Sequence, residues 1–212
     1  FRIAVAKTYE KFSGKEISQD RIQEAKNLGG LNNDWDLTKY LLSESGLNIS
    51  YNDIVEEFQK IYWNDKKGLI NDEKPLFNKE LFVKLSENYN LAIFTGRYNQ
   101  ETYYTLERFN AADLFYPVLT SDDIPEGMGK PDPIGLNLLK KMTLSDRYYY
   151  FGDTKDDIKA AIKAGYIPVG VLPPQDKSEE LCNMLKSEGA EFILQSINDV
   201  KTITEQKNEA VL

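Results

Sequence analysis

Three aspartates lie close together in the stretch "YYYFGDTKDDIKAAIKAG", which runs from Tyr148 to Gly165. Asp153, Asp156 and Asp157 would repel one another unless a cation offset their charges. Carboxylate oxygens are the ligands that hard cations such as Mg²⁺ prefer in proteins. The spacing therefore indicates a metal site, although acidic residues at a helix start are also favoured by the helix dipole alone.

Two further segments carry residues with matching chemistry. Thr95, Gly96 and Arg97 follow the apolar run "NLAIF", and Lys130 lies in "GMGKPDP". A threonine hydroxyl and a glycine amide donate hydrogen bonds, and a lysine supplies charge, so this set suits a phosphate held beside a divalent cation. Each of these residues alone could simply belong to a turn or a solvated loop. The prediction therefore depends on all of them occurring together in this order along the chain.

The elements that would position these residues alternate from about Pro75 onward. A helix near Asn78 to Glu87 precedes the first of five short apolar runs, and helical segments separate those runs. This alternation predicts an α/β fold, a Rossmann-like parallel sheet with helices on both faces. Ligands bind at the carboxyl ends of the strands in such sheets, where Thr95, Lys130 and Asp153 are expected.

The first third of the chain shows a different pattern. Four segments between Phe1 and Lys74 carry apolar residues at spacings of three and four, which predicts helices. We therefore predict a small helical cap over residues 1–74 and a Rossmann-like core over residues 75–212. The tail after about Lys207 is expected to be loose.

Composition excludes several classes of function. The chain has 212 residues, a formal net charge of -8, no histidine and a single cysteine, Cys182. Histidine-based catalysis is impossible, a disulfide framework is excluded, and the acidic balance argues against nucleic-acid binding. No apolar run is long enough for a membrane span, so we expect a cytoplasmic protein. We expect it to be a monomer or a homodimer. "GMGKPD" lacks the residues of a P-loop or of a dinucleotide fingerprint.

Thr95 in "LAIFTGR", Lys130 in "GMGKPDP" and Asp153 with Asp157 in "YYYFGDTKDDI" resemble, in order and spacing, the second, third and fourth motifs of the haloacid dehalogenase superfamily. The helical region resembles the cap of its phosphoglycolate-phosphatase-like and β-phosphoglucomutase-like subgroup. The resemblance implies Mg²⁺-dependent phosphoryl transfer through an aspartyl-phosphate. Thr95 and Gly96 would then bind the phosphoryl group, Lys130 would neutralise its charge, and Asp153 and Asp157 would form the metal site.

The first motif of that superfamily, a strand that ends in Asp-x-Asp and supplies the nucleophile, is not in this sequence. "DWD", from Asp34 to Asp36, follows a polar loop and has no apolar strand to present it. We expect the parent polypeptide to carry a further segment of roughly 15 to 25 residues before Phe1, with a strand of the usual length. In the resembling fold this strand lies in the middle of the sheet, and without it two inward strand edges would remain unpaired.

Three functions remain open at this stage. The favoured one is a phosphatase acting on a small phosphorylated metabolite. The others are a haloacid dehalogenase and a non-catalytic phosphate-binding module without a nucleophile. Residues expected to contact the rest of the substrate are Arg97 and the loop of Asn32, Asn33, Asp34 and Trp35. Packing of Trp35 between cap helices is an equal alternative.

Overall fold

The computed structural model describes residues 1–31 and 33–205, so Asn32 and the tail after Lys207 lie outside the described residues. The chain divides into two compact units, Phe1–Lys74 and Pro75–Leu212. No helix in the described ranges has the length and apolar composition to cross a bilayer.

The first unit is helical, as the spacing of its apolar residues predicts. Its helices are α1 (Arg2–Ser13), α2 (Gln19–Asn27), α3 (Asp34–Glu44) and α4 (Tyr51–Tyr62). Side chains at the helix starts satisfy backbone N–H groups that have no partner inside the helix: Ser18 caps α2, Asn33 caps α3 and Ser50 caps α4. The apolar faces meet in a core that includes the fully buried Leu37, Ile54 and Phe58.

The second unit alternates helices and strands in the predicted order. Its elements are α5 (Lys79–Ser86), β1 (Ile93–Phe94), α6 (Asn99–Arg108), β2 (Val118–Leu119), α7 (Ile134–Met142), β3 (Tyr149–Gly152), α8 (Lys155–Lys163), β4 (Ile167–Val171), α9 (Glu179–Ser187), β5 (Phe192–Leu194) and α10 (Lys201–Glu205). Gly165 follows α8 with a φ of +66°, a left-handed conformation that suits glycine and ends the helix.

All strand pairs are parallel, which confirms the predicted fold class. One ladder joins β1 to β2, and a second joins β3, β4 and β5 in that order. Among the described residues no strand pairs with the second edge of β1 or with the second edge of β3. The sheet is therefore divided between the strand that leads to Thr95 and the strand that leads to Asp153.

Helices cover both faces of these strands. Tyr150 packs with Phe94, with Leu136 of α7 and with Ala160 of α8, whereas its neighbour Phe151 packs against the cluster that contains Phe82 of α5. Neighbouring side chains of β3 thus point to opposite faces, as the alternation of a strand requires.

A cavity of about 260 Å³ extends from the residues just before β1 to the strand β3. It is lined by the residues just before β1, by β3, and by side chains of α5, α7 and α10; among them are Leu85, Leu91, Leu139, Tyr149, Phe151 and Ile203. Most of this lining is apolar or aromatic.

Candidate active site

The loop after β1 holds Thr95 and Gly96 in an open position. The backbone N–H of Thr95 donates to the carbonyl oxygen of Leu119 at 3.0 Å, which continues the β1–β2 ladder by one residue. The Thr95 hydroxyl accepts from the backbone N–H of Arg97 at 3.2 Å. Gly96 is exposed, and a Cβ built there would meet no atom within 4 Å. The described part of the chain offers its N–H no acceptor, so this donor can serve an anion.

The loop after β3 turns back sharply on itself. A Cβ at Gly152 would lie 2.2 Å from the Cβ of Asp157, so only glycine lets the start of α8 come this close to the strand end. Thr154 and Asp157 form a capping box at that helix start. The Thr154 hydroxyl donates to Asp157 Oδ2 at 2.7 Å, and the Thr154 N–H donates to the same oxygen at 3.2 Å.

Lys130 is placed by the loop before α7. Asp132 Oδ1 accepts from the N–H of Ile134 at 2.9 Å and stabilises the first turn of α7. Gly135 of that helix lies against β1, because a Cβ there would be 2.3 Å from the Phe94 ring. This close approach brings Lys130 to the carboxyl end of β1, with its Nζ 5.5 Å from the centroid of the Phe94 ring.

A buried ion pair joins the two strand ends. Lys130 Nζ donates to Asp157 Oδ1 at 2.7 Å, and the two side chains are only 12% and 4% exposed. The hydroxyl of Tyr150 lies 3.1 Å from Lys130 Nζ and 3.3 Å from Asp157 Oδ1. It also lies 3.3 Å from the carbonyl oxygen of Phe94, the residue before Thr95. Lys130, Asp157 and Tyr150 therefore form one hydrogen-bonded network.

The charges of this network stabilise each other. Burial alone would lower the pKa of Lys130, but the nearby carboxylate of Asp157 raises that pKa above its ordinary value. Burial opposes ionisation of Asp157 in the same way, and the charge of Lys130 with the hydrogen bonds from Thr154 nevertheless lowers its pKa. Both groups are therefore charged at neutral pH, and the lysine offers a fixed positive charge.

The acidic residues near β3 occupy different environments. Asp153 is exposed directly after the strand, whereas Asp156 is buried in the first turn of α8. Both oxygens of Asp157 are already hydrogen-bonded, and its predicted part in the metal site stays a prediction. The described residues contain no cluster of three acidic, histidine or cysteine side chains that could hold a metal ion.

The residues predicted to select the substrate have other contacts. Asn33 Oδ1 accepts from the N–H of Trp35 at 2.8 Å and caps α3. The ring of Trp35 packs edge-on against Phe58, with centroids 6.3 Å apart. Arg97 directs one guanidinium nitrogen to the hydroxyl of Thr105 at 3.5 Å. A part in specificity stays a prediction for all three.

Sequence reasoning overlooked Tyr150 as a member of the network and Thr154 as the residue that holds Asp157. Thr154 and Asp157 have the spacing of a capping box, which predicts their mutual hydrogen bonds. Tyr150 and Gly152 share one face of β3, and Asp157 folds back over that face. The alternation of side chains along β3 could therefore have indicated that Tyr150 points toward Asp157. Nothing in the sequence indicated its contact with Lys130, which lies 20 residues away.

Comparison with known protein families gives one match over most of the chain. The haloacid dehalogenase-like hydrolase family matches residues 3–171. A protein of Phytophthora nicotianae named imidazoleglycerol-phosphate dehydratase is 30% identical over 190 residues, which are 85% of this chain and 41% of that protein. A phosphoglycolate phosphatase of Vibrio cholerae is 35% identical over 95 residues, 44% of this chain and 41% of that protein. The chain thus spans about two fifths of both relatives.

Solved structures share the fold at low identity. A protein of Thermotoga maritima described as a β-phosphoglucomutase has a TM-score of 0.64 at 18% identity, covering 99% of this chain and 91% of that one. A haloacid dehalogenase-like protein of Agrobacterium tumefaciens, of unknown function, has a TM-score of 0.73 at 14% identity, with 98% and 92% covered. At such identities these structures establish the fold alone.

Proposed function

Because the chain belongs to the haloacid dehalogenase-like hydrolase family, we propose that it is part of a Mg²⁺-dependent phosphatase that acts on a small phosphorylated metabolite. The observation that carries the proposal is the buried Lys130–Asp157 pair at the ends of β1 and β3. A fixed positive charge beside exposed hydrogen-bond donors suits a phosphoryl group better than a neutral ligand. The two curated relatives are both named after small phosphorylated compounds, which supports the same substrate class.

In this proposal three groups bind the phosphoryl oxygens. The Thr95 hydroxyl, which accepts from Arg97 N–H, has its own proton to donate. The N–H of Gly96 donates beside it, and Lys130 neutralises the negative charge that the transferred group carries. Since Lys130 is held by the buried Asp157, its position needs no rearrangement when the ester binds.

Asp153 is the described residue whose chemistry best suits Mg²⁺. It is an exposed carboxylate directly after the parallel strand β3, at the carboxyl edge of the sheet where ligands bind in such folds. The described residues supply no set of three acidic ligands, so Asp153 would share the ion with ligands from elsewhere. When bound, the ion would offset the charge of the phosphoryl oxygens. Asp157 would act on the site through Lys130, whether or not it also reaches the ion.

The nucleophile of an aspartyl-phosphate mechanism is not among the described residues. We propose that a strand ending in Asp-x-Asp lies between β1 and β3 in the active protein. The support is the second edge of each strand, which no described strand pairs with, and the largely apolar cavity that extends from the residues just before β1 to β3. A strand in that position would end beside Thr95 and Asp153, because parallel strands place their carboxyl ends at one edge of the sheet.

Release of phosphate from p-nitrophenyl phosphate tests the proposal, with Mg²⁺ and with excess chelator. The assay should be run on the 212-residue chain and on the natural full-length protein. We expect activity from the full-length protein that requires Mg²⁺, and a loss of about 10²- to 10³-fold in Lys130→Met. Lys141→Met, which removes an exposed lysine of α7, is the matched control and should retain activity.

Two other results would redirect the assignment. Halide release from a 2-haloacid without phosphate release would favour a dehalogenase. Phosphate binding with no turnover by either protein would favour a non-catalytic phosphate-binding module. Turnover that is equal in Lys130→Met and wild type would contradict the proposed site.

A further inference from the structure

Tyr150 is a buried tyrosine whose hydroxyl lies inside the charged network. Its side chain is 9% exposed, and its ring belongs to the apolar cluster that contains Phe94 and Leu136. The hydroxyl is within 3.3 Å of three polar atoms: Lys130 Nζ, Asp157 Oδ1 and the carbonyl oxygen of Phe94. A phenylalanine would fill the same space, so packing alone does not account for the hydroxyl.

The donors and acceptors of this network can be assigned one by one. A lysine ammonium has three N–H donors and no acceptor, so the Tyr150 oxygen accepts from Lys130. The single phenolic proton is then donated to Asp157 or to the Phe94 carbonyl. Burial raises the pKa of Tyr150 above its ordinary value, which keeps that proton in place at neutral pH. Asp157 Oδ1 accepts a second proton of the lysine at 2.7 Å.

Lys130 is consequently fixed in direction as well as in place. Two of its three N–H groups are engaged by Asp157 and Tyr150, and the described chain shows one N–H remaining for another acceptor. A single carboxylate contact would leave the ammonium free to rotate about that contact. The second contact, from a rigid ring on β3, removes this freedom.

We propose that Tyr150 is a positioning residue that directs the third N–H of Lys130 to the phosphoryl group. The proposal rests on the proposed function, since Lys130 must itself bind the anion. Tyr150 makes no contact with the substrate in this account, and its effect passes entirely through Lys130. Removing the hydroxyl should therefore weaken anion binding only where Lys130 is present.

Tyr166 provides a matched control in the same cluster. It is 8% exposed, and its ring lies edge-on to that of Tyr150 with centroids 6.3 Å apart. Its hydroxyl donates to the carbonyl oxygen of Leu136 at 3.0 Å, and within the described chain it has no hydrogen bond to Lys130 or Asp157. Tyr166→Phe thus removes an equally buried hydroxyl without touching the network.

The test is calorimetric binding of inorganic phosphate to the natural full-length protein in the presence of Mg²⁺. Wild type is compared with Tyr150→Phe, Tyr166→Phe, Lys130→Met and the double variant Lys130→Met with Tyr150→Phe. Thermal melts of every variant identify any that fail to fold. We expect about tenfold weaker binding in Tyr150→Phe, because a hydrogen bond to a charged group is lost. We expect little change in Tyr166→Phe, and no additional loss when Tyr150→Phe is added to Lys130→Met.

The possible failures are distinguishable. If Lys130→Met weakens phosphate binding but Tyr150→Phe binds as wild type does, Tyr150 does not position the lysine. If Tyr150→Phe costs the same affinity with and without Lys130, or if Tyr166→Phe costs as much, the effect is structural and the inference is wrong. If wild type and Lys130→Met bind phosphate equally, the proposed function fails, and this inference fails with it.

Discussion

Both units of the molecule cap their helices with short polar side chains, and in the second unit the cap of α8 is joined to a buried ion pair. Ser50 and Asn33 in the first unit bond to backbone N–H groups at the starts of α4 and α3, and both are exposed or half-exposed. Thr154 caps α8 in the second unit in the same manner. There Asp157, the carboxylate that Thr154 binds, also forms an ion pair with the buried Lys130. Helix capping is common to both units, and what distinguishes α8 is the ammonium group of Lys130, which lies 27 residues before Asp157 in the sequence.

The surroundings explain why this difference matters. The pair of Lys60 and Glu56 on α4 is exposed to water, which screens the attraction between the two charges. Lys130 and Asp157 are almost completely buried, so each depends on the other for its charge. The buried pair at the two strand ends holds its charges in fixed positions, whereas the charges of the exposed pair on one helix are mainly solvated by water.

The largest effect should follow from removing the buried carboxylate. Asp157→Ala leaves Lys130 charged and without its ion partner, and we expect a loss of about 3 to 5 kcal/mol in the free energy of unfolding. Glu56→Ala in the first unit should cost far less, because water already screens that exposed pair. Urea unfolding followed by circular dichroism measures both. Equal losses would show that the two pairs are energetically alike and would remove the basis of the comparison.

A smaller effect should follow from filling the space beside Asp157. Gly152→Ala places a methyl group where the Asp157 side chain lies, so the start of α8 must move. We expect a loss of about 1 to 3 kcal/mol, as for other overpacked positions. Gly129→Ala is the control, because a Cβ there meets nothing within 4 Å. A Gly152→Ala protein as stable as the control, with unchanged phosphate affinity, would mean that the close turn is not needed.

The smallest effect on stability should follow from removing helix caps in the first unit, and the same variants test whether Asn33 contributes to substrate specificity. Asn33→Ala and Ser50→Ala each remove a helix cap and should each cost about 1 kcal/mol. If Asn33 also contacts substrate, as the sequence predicts, only Asn33→Ala should change the relative kcat/KM values across a panel of phosphate esters. The same change in both variants, or in neither, would leave Asn33 as a cap alone.

Local pattern predicted the elements well and the network only in part. The spacing of apolar residues is set within each helix or strand, so α1 to α9 and the parallel strands could be predicted from the sequence. Thr95 and Asp153 could be chosen because they come just after apolar runs, and Lys130 because it lies further along the segment that follows "YPVLT". The contact between Tyr150 and Lys130, and the approach of Gly135 to Phe94, depend on how distant segments pack together. Neither contact leaves a periodic signal in the sequence.

The division of the sheet illustrates the same limit. The sequence indicates five short apolar runs, and the structure pairs them as two ladders rather than one. Backbone hydrogen bonds between strands depend on which edges meet, which composition does not encode. Only the resemblance to a known family predicted two inward edges at this position.

The most direct test is a crystal structure of the full-length protein with Mg²⁺ and tungstate, an anion shaped like phosphate. The account predicts tungstate within hydrogen-bonding distance of the Thr95 hydroxyl, the Gly96 N–H and Lys130 Nζ, with Mg²⁺ on Asp153 and a strand between β1 and β3. Tungstate bound away from Lys130, or Lys130 turned from the anion while still paired with Asp157, would contradict it.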